Sequence, residues 1–117
     1  DMYEEYLGIR APNRTPGVLQ DIHWSFGAFG YFPTYTLGNL YSAQLLAAAR
    51  KNLPNHDEDM RTGNFTPLLQ WMRENVHVRG SIVTPAELIE EATGHPPSPD
   101  DFVEYLREKV ERLYNLS

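Results

Sequence analysis

A carboxylate two residues before an imidazole is the first spacing in this chain that could do chemistry: Asp21-Ile22-His23-Trp24. On a helix, residues two apart do not face one another, so Asp21 would not orient His23. In extended backbone the same spacing places both on one side. The phenols of Tyr31, Tyr35 and Tyr41 follow, each able to donate a hydrogen bond. From spacing alone, His23 reads as a hydrogen-bonded core histidine and the phenols as buried aromatics with a polar end to satisfy. Between Asp21 and Arg50 there is no Asp, Glu, Lys or Arg, while Trp24, Phe26, Phe29, Tyr31, Phe32, Tyr35 and Tyr41 crowd together. The residues thus describe an uncharged aromatic wall carrying one imidazole and several phenols.

The remaining histidines add little. No H-E-x-x-H pair occurs, and cysteine is absent, which excludes disulfides and thiolate metal sites. His56 lies among Asp57, Glu58 and Asp59, a run that reads as a solvated surface more readily than as a weak cation site. His77, near a helix end, and His95, before Pro96, read as structural or exposed.

The elements that must position these groups are helical. YEEYLGIRAP reads as a helix tail ending at Gly8, followed by a loop broken by Pro12 and Pro16. Gly17 to Trp24 is a short helix or turn, and Pro33 opens a long helix to about Arg50. That helix is apolar or small on nearly every face, as expected of one buried all round. A stripe of Tyr31, Tyr35, Gly38, Ser42, Leu45 and Ala49 would let another helix approach closely. Residues 54–64 form a surface excursion or short helix. Thr66-Pro67 starts a helix with a core stripe of Leu68, Leu69, Met72 and Val76. Thr84-Pro85-Ala86-Glu87 is a capping box for a helix ending at Gly94. After Ser98-Pro99-Asp100-Asp101, Phe102, Leu106, Val110 and Leu113 face inward, and Glu108 can pair with Arg112. No alternating strand run appears, so the class is all-α.

At 117 residues the chain fits one domain or a piece of one. A net charge of −6 and scattered basic residues argue against nucleic acid. Pro33 and the many polar residues of the uncharged stretch argue against a membrane span. The absence of cysteine and of a secretory pattern at the start fits a cytoplasmic location.

GVLQDIHW, Gly17 to Trp24, resembles the G-x-x-Q-D-x-H-W signature of the Taq-type, thermostable family of zinc metallocarboxypeptidases. FGYFPTYTLGNLYSAQL, FTPLLQWMRENVHVRG and TPAELIEEATG are similar to that family as well, so the resemblance covers nearly the whole chain. It implies an almost wholly helical peptidase with a deep substrate groove, removing amino acids from peptide C-termini and typically a homodimer. Zinc, cobalt or another divalent metal would be held by H-E-x-x-H and a downstream Glu, the motif Glu activating a metal-bound water.

This chain departs from that pattern: it has no H-E-x-x-H and no I-R-x-x-A-D segment, which in the family precede the G-x-x-Q-D-x-H-W motif. The resemblance therefore implies that residues 1–117 are a C-terminal helical segment of the catalytic domain, binding no metal themselves. Their partner would be the missing N-terminal part. By motif position, His23 binds substrate or intermediate, and Tyr31 donates to the oxyanion, with Tyr35 the second choice. Gln20 and Asp21 position the His loop, and Trp24 packs beneath it. The competing expectation is a non-catalytic helical interaction module or degenerate relative.

Overall fold

The computed structural model describes residues 2–17 and 19–116, so Val18 of the motif lies outside the described residues. Every regular element among them is helical, in agreement with the all-α reading. The chain divides into two compact units, residues 1–34 and 35–117.

The first unit opens with α1, Met2–Leu7. Gly8 closes it with φ +67°, its N–H bonding to Glu4 O at 3.0 Å. Turns follow. Leu19 and Gly17 both donate to the Arg14 carbonyl, at 3.0 and 3.2 Å. A Cβ at Gly17 would stand 3.0 Å from Asn13 O and 3.1 Å from Ala11 Cβ, so any side chain there would have to push these neighbours back by a few tenths of an ångström. Further on, Ala28 N–H returns to His23 O at 2.8 Å, folding the aromatic segment into a tight loop that ends at Pro33.

Pro33 begins α2, Pro33–Asn52, two residues longer than its expected end. No helix among the described residues is long and apolar enough to cross a membrane. In the second unit, Gln44, Ala48 and Ala49 of α2 are buried, and Leu45 and Leu46 are half-buried. The core gathers Ala48 and Ala49 with Trp71, flanked by Leu45, Leu53, Leu68 and Met72.

Burial all round is not what the structure shows. Residues 35–39 are exposed, as are Trp24 and the phenylalanines 26 and 29 of the preceding loop. Lack of charge reports that a surface needs shielding, not which part of a protein shields it. Among the described residues, the core cluster meets only the C-terminal half of α2. Among the described residues, nothing lies within 4 Å of where a Cβ on Gly38 would be.

The polar excursion contains α3, His56–Thr62, capped by Gly63. Next, α4, Thr66–Met72, runs into a wide π turn, Arg73–His77. Asn75 Nδ2 donates to the Trp71 carbonyl at 2.9 Å inside that turn. The buried anchor is Trp71, not Leu69, which is exposed. At about 100° per residue, Trp71 shares the face of Leu68 and Met72, whereas Leu69 is turned away from it.

The helix α5, Pro85–Thr93, has the expected capping box: Thr84 Oγ1 accepts from Glu87 N–H while the Glu87 carboxylate accepts from Thr84 N–H. Helix α6, Asp100–Tyr114, begins where Ser98 Oγ accepts from Asp100 N–H at 3.1 Å. Its expected inward face is only partly so. Phe102 is half-buried, but Leu106, Val110 and Leu113 are exposed, because the core lies at the other helices. On its polar side, Arg107 pairs with Glu104 at 2.7 Å in place of the expected Glu108–Arg112 pair.

Gln44 ties these elements together from a fully buried position. Its Nε2 lies 3.1 Å from Thr93 Oγ1, 2.9 Å from His95 Nδ1, and 3.1 Å from the carbonyls of His95 and Pro96. Its Oε1 accepts from Ser98 N–H at 3.2 Å. Two amide hydrogens shared among four acceptors keep the linker between α5 and α6 against α2. Gln44→Leu keeps the volume and strands those partners, which predicts a loss of about 2–3 kcal/mol in denaturant unfolding. A loss below about 0.5 kcal/mol would show that the linker satisfies itself without the amide.

Candidate active site

The loop from Gly17 to Phe32 builds the site within the first unit. Gln20 comes first: its Nε2 donates to the Thr15 carbonyl at 3.1 Å, and its N–H to Gly17 O at 3.0 Å. These bonds close the turn that delivers Asp21. One carboxylate oxygen, Asp21 Oδ1, then accepts the backbone N–H of His23 at 2.9 Å and lies 2.7 Å from His23 Nδ1. The backbone here is neither helix nor strand. An Asx-type turn brings carboxylate and imidazole together, which settles the geometry that i,i+2 spacing left open.

An ionised carboxylate only accepts, so Nδ1 carries the proton in this contact. The imidazole is about a quarter exposed, at 24%, and Asp21 about half, at 49%. The rings of Phe32 and Tyr31 border the imidazole. The Phe32 centroid is 4.6 Å away, tilted 40°, and Tyr31 is 5.6 Å away at 32°. Trp24 stacks on Phe29, with centroids 6.5 Å apart, and Ser25 Oγ donates to Ile22 O at 2.9 Å.

The structure thus gathers Gln20, Asp21, His23 and Tyr31 into one loop. Tyr31 precedes α2 by two residues instead of lying in its first turn, and Tyr35 stands in that turn, half-exposed in the second unit. Phe32 was not singled out by the sequence. Its only signal is adjacency to Tyr31 in an aromatic run, and spacing alone does not say which ring meets the imidazole.

The other histidines lie in the second unit. His56 is not part of a solvated surface: its ring is only 6% exposed, because a turn closed by His56 N–H to Leu53 O at 3.0 Å folds it inward. Its Nδ1 is 2.9 Å from Asp57 Oδ1, which Arg50 also approaches at 3.3 Å, and its buried Nε2 has no hydrogen-bond partner among the described residues. His95 Nε2 stands 3.6 Å from Asp101. No group of three or more His, Asp or Glu side chains that could hold a metal occurs among the described residues. These residues do not fit a catalytic metal centre, which takes three protein ligands.

The hydrogen bond from the His23 backbone, and then that from its ring, holds the Asp21 carboxyl below the ordinary aspartate range. A depressed carboxyl contributes its bonds above the ordinary value and loses them only as pH falls through the lowered one. The Asp21–His23 turn should therefore survive acidification through pH 3.8 and open below it. Carboxyl carbon-13 NMR of Asp21 checks this, and a midpoint at or above 3.8 would contradict it.

The family model for Carboxypeptidase Taq (M32) metallopeptidase matches residues 1–110. Thermostable carboxypeptidase 1 of Thermus thermophilus is 43% identical over 114 residues, covering 97% of this chain and 22% of that protein. Carboxypeptidase 1 of Bacillus subtilis is 41% identical, covering 97% and 23%. The crystal structure of an M32 carboxypeptidase from Deinococcus radiodurans superposes with a TM-score of 0.81 at 45% identity, over 97% of this chain and 23% of that one. The chain spans under a quarter of the length of the relatives it matches. With its motif loop, helical architecture and sequence in agreement over nearly all its length, the chain belongs to the Taq-type carboxypeptidase (M32) family of metallopeptidases.

Proposed function

We propose that this chain is the C-terminal helical part of a metal-dependent carboxypeptidase that releases C-terminal amino acids from peptides. In that enzyme, the uncharged aromatic stretch from His23 to Tyr41 forms one wall of the substrate groove. The observation that carries the reading is the loop itself: a family motif whose Asp21 holds His23 by backbone and ring, with the Tyr31 ring beside it. A divalent metal, zinc or cobalt among the candidates, would be bound by the missing N-terminal part and would polarise the scissile carbonyl. The reading further takes the enzyme as a cytoplasmic homodimer.

The roles of this chain's own residues follow from what their groups can do. The Tyr31 hydroxyl donates to the oxygen that gains charge in the tetrahedral intermediate, where a fixed donor is worth most. His23, with its Nδ1 committed to Asp21, binds the substrate backbone or that intermediate. Gln20 and Asp21 hold the loop, Trp24 supports it through Phe29, and Tyr35 contributes to the substrate wall. The exposed aromatics fit a surface that a peptide and the remaining protein would cover.

In the full-length enzyme, Tyr31→Phe should lower kcat by about 10²–10³ while KM stays within a few-fold. The ring is retained, so the loss isolates the hydroxyl. Full activity in Tyr31→Phe with a collapse in Tyr35→Phe would move the donor to Tyr35. Residues 1–117 alone should neither bind zinc tightly nor release amino acids from a peptide. Chelator-sensitive turnover by that purified chain, supplied with zinc or cobalt, would overturn the assignment of the metal to the missing part.

A further inference from the structure

Helix α6 carries its apolar and its acidic residues on opposite sides. At about 100° per residue, Val103, Leu106, Val110 and Leu113 line up in one stripe. Asp101, Glu104, Glu108 and Glu111 fall on the other half of the helix. The acidic half faces α2, for the groove between the two helices is lined by Arg50 of α2 and by Asp101, Glu104 and Glu108 of α6. The apolar stripe is therefore turned away from α2, and its side chains stay exposed, from 40% at Leu106 to 61% at Leu113. An amphipathic surface helix normally does the reverse, with its apolar side inward.

The spacing of the stripe says what shape covers it. Steps of three, four and three residues make a seam that receives the side chains of a second helix. The borders of the seam say what charge that helix carries. Arg107 and Lys109 stand about 80° to either side of the centre of the stripe, so a cation flanks each edge. Arg107 is answered within α6 by Glu104 at 2.7 Å, whereas Lys109 Nζ rests over the Tyr105 ring, 5.7 Å from its centroid. A helix with carboxylates beside its apolar face would bring Lys109 a counter-charge.

A second copy of α6 meets these demands poorly. Its edges offer Phe102, Arg107, Lys109 and Tyr114, none of them a carboxylate. Stable association of separate molecules also takes about 20–30 residues a side, far more than one stripe supplies. The chain spans under a quarter of its relatives' length, so in such a protein most of the polypeptide is left to supply the covering helix. We propose that the apolar face of α6 seats a helix of the same polypeptide from outside residues 1–117, apolar along the contact and flanked by Asp or Glu. The proposal rests on the reading of this chain as part of a longer enzyme, and not on the roles given to His23 and Tyr31.

The first test takes the full-length enzyme without substitution. A zero-length carbodiimide cross-linker joins a lysine amine to a carboxylate in contact with it, and mass spectrometry of the digest maps the pair. Lys109 should be joined to an Asp or Glu outside residues 1–117, in product of single-chain mass. In a second measurement, Leu106→p-benzoylphenylalanine and Leu113→p-benzoylphenylalanine should photo-cross-link to one segment at points two helical turns apart. Glu108→p-benzoylphenylalanine, on the opposite side of α6, should not reach that segment. Lys109 joined only within residues 1–117, or no photoproduct outside them from positions 106 and 113, would overturn the proposal. Products of doubled mass would overturn it too, making the face a contact between copies, as would a photo-cross-linked segment with no Asp or Glu at its edges. Release of C-terminal amino acids from a peptide by the same sample keeps the two readings apart. An inactive enzyme with the expected cross-links loses its assignment as a carboxypeptidase and keeps this contact, whereas an active one without them loses the contact alone.

Discussion

A buried amide holds the larger unit of this chain together. Gln44 sits fully buried on α2, where an unpaired amide would cost more than most single contacts return. It avoids that cost because the segment between α5 and α6 brings to it the carbonyls of His95 and Pro96, the N–H of Ser98, Thr93 Oγ1 and His95 Nδ1. The requirement runs both ways. Residues 93–98 also bond among themselves and to their neighbours, Thr93 Oγ1 donating to Ile89 O and Ser98 Oγ bonding Asp100, and the amide ties that linker to α2. Ala48 and Ala49, one turn further along α2, can then lie against Trp71.

The first unit solves a different problem with a similar device. Polar backbone must make a loop without regular structure, and one carboxylate oxygen organises it by taking both bonds from His23. The same bonds keep Asp21 ionised to lower pH, so the contact that shapes the loop also preserves the charge that holds the imidazole. The aromatic rings around it remain largely exposed in this chain, which spans under a quarter of its relatives' length.

Much of this was legible because local signals need no partner. Thr84 with Glu87 capped α5, Gly8 ended α1, and Pro33 started α2 as their types require. Tertiary choices were less visible. Trp71 replaced Leu69 as the anchor because a helix face depends on what it meets, and the π turn after Met72 left no mark in the pattern. His56 seemed solvated among its acidic neighbours, yet a single turn buried it. Gln44 was invisible for the same reason: its partners lie about fifty residues away. At the site, the motif pointed to the loop, whereas the side on which Asp21 meets His23 depended on a turn that spacing did not specify.

The central claim is that the loop around His23 and Tyr31 forms part of the surface on which a peptide's C-terminal bond is broken. A crystal structure of the full-length enzyme with a phosphonate peptide, a stable mimic of the tetrahedral intermediate, tests it most directly. The account predicts the phosphonate against this wall, with the Tyr31 hydroxyl about 2.7–3.1 Å from one of its oxygens and His23 in contact with the ligand. A fully bound phosphonate that touches neither His23 nor Tyr31 would contradict it.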